Sequence, residues 1–171
     1  MLRKIFAPIL AFFMLLPFAT WGRGQENAYL TVVKAIVQEE RNEGLKYLVV
    51  DLSQVKLTDT AKLEKAIKAY CDRCDITLLP DDFDWLVAEG YFVTEKKIGF
   101  EDVEYDNWRF PNKDGIVINF SSDDQLTKST LKTDAFHSYE ARVGGGCYYT
   151  VKRIGCVWLI FQKGIIIVDF F

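Results

Sequence analysis

The sequence predicts an α+β domain with N-terminal helices packed on a curved antiparallel sheet. Helical spacing of apolar residues fills the first half, then vanishes after Tyr91 in favour of β-branched and aromatic runs. Helices first and strands afterwards is the α+β order, not the alternation of a parallel fold. Near the end, Cys147–Lys152 and Cys156–Gln162 flank Ile154-Gly155, the pattern of a hairpin with a glycine where a tight turn needs positive φ. The chain has 171 residues, half of them hydrophobic and 15% aromatic, enough for one domain with a real core.

At the N-terminus, Arg3-Lys4 precedes the apolar run Ile5–Ala19, and small residues follow at Gly22 and Gly24. This is the pattern of a secretory signal peptide, cut before Gln25. The run falls short of the roughly 20 apolar residues of a spanning helix and holds Pro8 and Pro17, although an uncleaved N-terminal anchor is the alternative. The expected organisation is therefore a signal peptide over 1–24 and a single domain over 25–171. Losing Arg3, Lys4 and Arg23 moves the formal charge from −3 to −6. A secreted or periplasmic acidic body is expected, with no membrane contact beyond the leader. The absence of a basic cluster argues against nucleic acid as a partner.

Within the domain, Tyr29, Val32, Val33, Ile36 and Val37 give helical spacing to Glu26–Glu43, with Gly44 at the C′ position. Lys46–Leu57 reads as a strand, and Thr58-Asp59 caps a second helix that ends near Cys74. The stretch from Val49 to Ile67 has a superficial likeness to the strand–turn–helix of anti-sigma-factor antagonist domains, whose β–α alternation the downstream chain does not continue. Ile76–Leu79 is a short strand ended by Pro80. Asp81, Asp82 and Asp84 open a short helix running to Glu89, with Asp81 and Asp84 spaced as a capping box and Gly90 as the stop. Strands are then expected over Lys97–Tyr105, Gly115–Phe120, Leu126–Phe136, Tyr139–Lys152, Cys156–Gln162 and Ile165–Phe170. The triplet Gly144–Gly146 suggests a bulge or bend.

Export makes disulfides chemically accessible to Cys71, Cys74, Cys147 and Cys156. If Ile154-Gly155 is the turn, Cys147 lies ~20 Å along its strand from the position opposite Cys156, too far for a bridge. Cys71-x-x-Cys74 has three readings: buried small side chains, a disulfide, or a redox pair. Its place at the end of a helix lacks the thiolate stabilisation that a helix start provides. The second pair, eight residues apart on a hairpin, does not complete a zinc site.

Catalytic signatures are absent. His137 is the single histidine, and Ser138 beside it points to the opposite face of a strand. Glu101, Asp102, Glu104 and Asp106 could supply a carboxylate pair, but a solvated strand face explains them more simply. No metal or cofactor is implied. Aromatic residues and arginines that could line a ligand cleft are Trp108, Arg109, Tyr139, Arg142 and Trp158.

The last third resembles an uncharacterised domain of exported bacterial proteins. Ser138, Tyr139, Arg142, Gly144–Gly146, Tyr149-Thr150-Val151-Lys152, Gly155 and Trp158 carry the likeness. VVDLSQVKL and LLPDDFDWLVAEGYF fit the same context. The resemblance implies a small NTF2-like or cystatin-like fold, a curved sheet around a helix, and carries no activity or catalytic residue with it. The expected function is an exported, non-catalytic domain binding a small molecule or a protein partner. The alternatives are a small enzyme using buried carboxylates or the Cys71/Cys74 pair, and an inhibitor or immunity-type protein.

Overall fold

The computed structural model describes residues 19–40, 44–98, 104–141 and 143–166. Among the described residues, three helices pack on a curled, open, mixed sheet that forms a half-barrel. The class is α+β, as expected, with the sheet dominant. The described residues begin with strand β1 (Thr20–Trp21), then helix α1 (Glu26–Glu40) and strand β2 (Tyr47–Asp51). Helix α2 (Ala61–Arg73), strand β3 (Thr77–Leu78) and helix α3 (Phe83–Ala88) follow. Seven strands complete it: β4 (Val93–Ile98), β5 (Glu104–Arg109), β6 (Gly115–Phe120), β7 (Gln125–Leu126), β8 (Thr130–Glu140), β9 (Val143–Ile154) and β10 (Val157–Ile166).

The main path of the sheet runs β1-β10-β9-β8-β6-β2-β3. An all-antiparallel sheet is not what forms, because β2 pairs in parallel with both β3 and β6. The reason is local: α2 carries the chain back across the sheet, so β2–α2–β3 closes as one parallel crossover unit. Lys46–Leu57 yields only five strand residues, and the chain leaves the sheet after Asp51.

Helix α1 fills the inside of the curl. Ala28 to Val33, Ala35, Ile36 and Val37 are all buried, because one side of the helix faces β8–β10 and another faces α2. Alternation along β2 and β6 divides the interior. Leu48, Val50, Ile116 and Ile118 join the α1 core, while Val49 and Val117 point to a smaller core under α3.

Several boundaries differ from the sequence reading. Residues 97–105 are not one strand; they span the end of β4 and the start of β5, with Glu101 and Asp102 outside the described residues. Strand β8 runs through His137 to Glu140, and β10 continues through Ile165. The hairpin turn is Gly155-Cys156, one residue beyond the expected pair, so Ile154 faces Val157 and Arg153 faces Trp158. Gly155 takes φ +63 as the first central residue, the demand of a II′ turn. With a bulge at Phe161, Cys147 faces Ile165. The expected bulge is on the strand opposite the glycine run, at Tyr139, where the β8–β9 register shifts. Opposite the glycines, the His137 ring lies 2.9 Å from where a Cβ on Gly145 would stand.

Candidate functional site

Two polar assemblies stand out. The first lies where β2 and β3 end. In open sheets, the crevice beyond the carboxyl ends of parallel strands is the usual ligand position, especially where connections leave to opposite faces. Here α2 lies on the large-core face and α3 on the other. The crevice has a volume of about 380 Å³, within the range of small-molecule sites. Its apolar walls include Val50, Leu52, Ile67, Leu78 and Pro80, and its polar groups are Ser53, Thr60, Glu64 and Asp81.

Each polar group is placed by local chemistry. The carboxylate of Asp51, the last residue of β2, accepts the Ser53 N–H at 2.7 Å, which turns the chain out of the strand. Asp82, not Asp81, caps α3, accepting the Trp85 N–H at 3.0 Å. Asp81 is thereby released to meet Asp51. Partial burial, then the Asp51 charge and a hydrogen bond with Asp51, push the Asp81 carboxyl above the usual carboxylate range. Glu64 sits in the first turn of α2, where an acid suits the helix dipole. Among the described residues no basic side chain lines the crevice.

The second assembly joins the end of α1 to β8. His137 Nε2 is 3.2 Å from Glu40 Oε1, and the Tyr139 hydroxyl donates to Glu40 Oε2. Next to it, Lys163 donates to Glu39 and lies 5.7 Å from the Tyr149 ring centre. Sequence reasoning missed Glu40, yet a signal was present. Glu39 and Glu40 occupy the last turn of a helix with no base there, where the dipole disfavours acids. Their partners come from strands about 100 residues away, Tyr139 being 99 positions from Glu40.

Of the five cleft candidates, the four described do not converge. Trp108 stacks on Phe92 with ring centres 4.7 Å apart in the smaller core, and Arg109 pairs through its backbone with Val93 and Glu140. Tyr139 adjoins them, its carbonyl accepting the Phe110 N–H, but its side chain packs against the larger core. Trp158 is fully buried on the far side, opposite Thr20. Arg142 lies outside the described residues.

All four cysteines are free thiols. Burial, with the neighbouring Cys74 and Asp72 charges, pushes the Cys71 thiol up to about 12, the opposite of what a redox nucleophile requires. Among the described residues no three His, Cys, Asp or Glu side chains are grouped to hold a metal ion, and no helix there is long and apolar enough to cross a membrane. No protein-family model, curated protein or solved structure matches the chain.

Proposed function

We propose that this chain is an exported, non-catalytic binding domain that takes a small cationic ligand in the crevice beyond β2 and β3. The observation that carries the reading is the crevice itself. Asp81 and Glu64 line it, Asp51 is hydrogen-bonded to Asp81, and among the described residues no base lies on its wall, while α1 fills the inside of the half-barrel. A protonated amine or guanidinium would sit between the carboxylates, its carbon skeleton on Val50, Ile67 and Leu78. The gain would come from charge-assisted hydrogen bonds in a partly desolvated site. Export rests on the basic residues and apolar run before Thr20. A helix held inside a curled sheet supports the NTF2-like or cystatin-like expectation, and the parallel β2–α2–β3 unit would be this chain's own addition.

Calorimetric titration with spermidine and L-arginine tests the reading. Saturable binding is expected, weakened roughly tenfold or more in Asp51→Asn and Asp81→Asn, since each removes a charged partner. Binding should also fall with added salt, and as the pH drops through the raised range of Asp81. Absence of binding, or equal binding by the Asp51→Asn/Asp81→Asn double variant, would sink it.

A second reading, capture of an extended protein segment, draws on β10. Among the described residues, Leu159–Ile166 pairs only with β9, and Phe161 and Ile165 on it are exposed. An open edge of this kind is a template for strand addition.

A further inference from the structure

Residues 19–24, just before α1, are built into the fold. Strand β1 extends the sheet beyond β10, with Thr20 opposite Trp158 and Trp21 opposite Val157. Ala19 and Thr20 are buried, at 7% and 3% exposure. The pairing continues past the strand, since Gly22 N–H donates to the Cys156 carbonyl at 2.7 Å. The Arg153 guanidinium donates to the Arg23 carbonyl, also at 2.7 Å. Residues 20–24 therefore seal one edge of the hairpin and help cover Trp158, which is fully buried.

A leader cut after Gly24 would remove all of this. It would strip the β1 partners from Val157 and Trp158, which would keep their pairing with β9 alone, and take away the acceptor of Arg153. A cut after Ala19 keeps β1 whole, and among the described residues it gives up the 3.3 Å bond from Lys34 Nζ to the Ala19 carbonyl. Ala19 is also the last small residue of the apolar run, and Thr20 is the first polar one. Leader peptidases read an A-x-A-like end to the leader, of which Ala19 supplies the last position and Pro17 stands at the first.

We infer that the Ala19–Thr20 peptide bond is the processing site, and that the mature protein begins at Thr20 with β1 in place. The step is hydrolysis: water adds across that amide, leaving a carboxylate on Ala19 and a new amino terminus on Thr20. The inference rests on the export part of the proposed function and is independent of the ligand.

The full chain, carrying its own leader, is expressed in a Gram-negative host. The exported fraction is then read by intact mass and N-terminal sequencing. A start at Thr20 is the expected result, while a start at Gln25 or an exported chain of full length overturns the inference. A chain that stays uncut in the cytoplasm overturns both it and the export reading, whereas export with a Gln25 start overturns it alone. Ala19→Leu should lower the processed fraction by roughly tenfold, because a large residue blocks the cut, and Gly24→Leu should leave it unchanged. The reverse pattern would place the cut after Gly24. Both variants are read on the chain as it is exported, so a loss of folding does not imitate either result.

Discussion

Leu48 and Val49 are neighbours in β2, yet they belong to cores of different construction. Leu48 faces the large core, where mostly aliphatic side chains of α1, α2 and five strands, joined by the rings of Tyr29, Phe120, Tyr149 and Trp158, surround a helix with almost no solvated side. Val49 faces a small one, where Leu79, Leu86, Phe92, Phe110 and Val117 are closed over by Tyr47, Tyr91 and Trp108. The large core is assembled from long periodic segments. The small core draws on short pieces, a helix of six residues and the Leu79 that follows a two-residue strand, that could not stand alone. Aromatic rings make up the difference, because each buries more area than an aliphatic chain and adds edge or stacking contacts. Phe92 makes two of these, with Trp108 at 4.7 Å and Phe110 at 4.9 Å. Where local structure is weak, a few large side chains do the fastening.

The sharpest test is the neighbouring pair itself. Leu48→Ala is expected to cost about 2–5 kcal/mol, the range for truncation in a core that collapses poorly. Val49→Ala should cost about 2 kcal/mol, two methyl groups at ~0.8 kcal/mol each plus a small cavity. Urea unfolding measures both, and equal losses would break the distinction between the cores.

A second test probes how tightly the aromatic core is fastened. A Cβ on Gly115 would lie 2.4 Å from the Phe110 ring, so Gly115→Ala should destabilise by about 1–3 kcal/mol through overpacking. Phe110→Leu alone should cost roughly 1–2 kcal/mol in lost ring contacts with Phe92 and Tyr47. Combined, the two should cost less than their sum, because the smaller side chain makes room for the new methyl. Additive losses would mean that the ring does not depend on the glycine.

The smallest effect is expected at the rim of the large core. Both oxygens of Asp124 are buried without a hydrogen bond of full geometry, beside the Tyr29 and Thr133 hydroxyls. Burial raises this carboxyl above its ordinary value, so the folded chain holds the proton more tightly than the unfolded one. The resulting stability is complete below the ordinary Asp value of about 3.9 and is lost as the pH rises through the higher folded-state value. Asp124→Asn stays neutral throughout. It should raise Tm by a few degrees at pH 7 and leave it unchanged at pH 3; a gain of the same size at both would contradict the account.

Much of the large core was legible residue by residue. Tyr29, Val32, Val33, Ile36 and Val37 announced α1 by spacing, and Gly115–Phe120 appears as strand β6 with the expected bounds. Gly155 marked the last hairpin, although its turn slid by one residue because glycine is needed at the first central position. The candidate crevice was far less legible. Asp81 looked like half of a capping box, and only the Asp82 bond to Trp85 shows it free for another partner. Asp51 looked like a strand residue, since nothing local says that a distant loop will set a second carboxyl beside it.

Local periodicity, turn residues and the order of elements were enough to determine the class, the central helix and the final hairpin, because each depends on contacts within a few residues. Tertiary structure alone decided that β2 runs parallel to β3 and β6, that Glu40 meets His137 and Tyr139, and that Thr20 and Trp21 belong to the sheet. Each of these is a pairing between segments far apart in the chain. A strand's side-chain pattern states which face is buried, and leaves open which neighbour it takes or in which direction that neighbour runs.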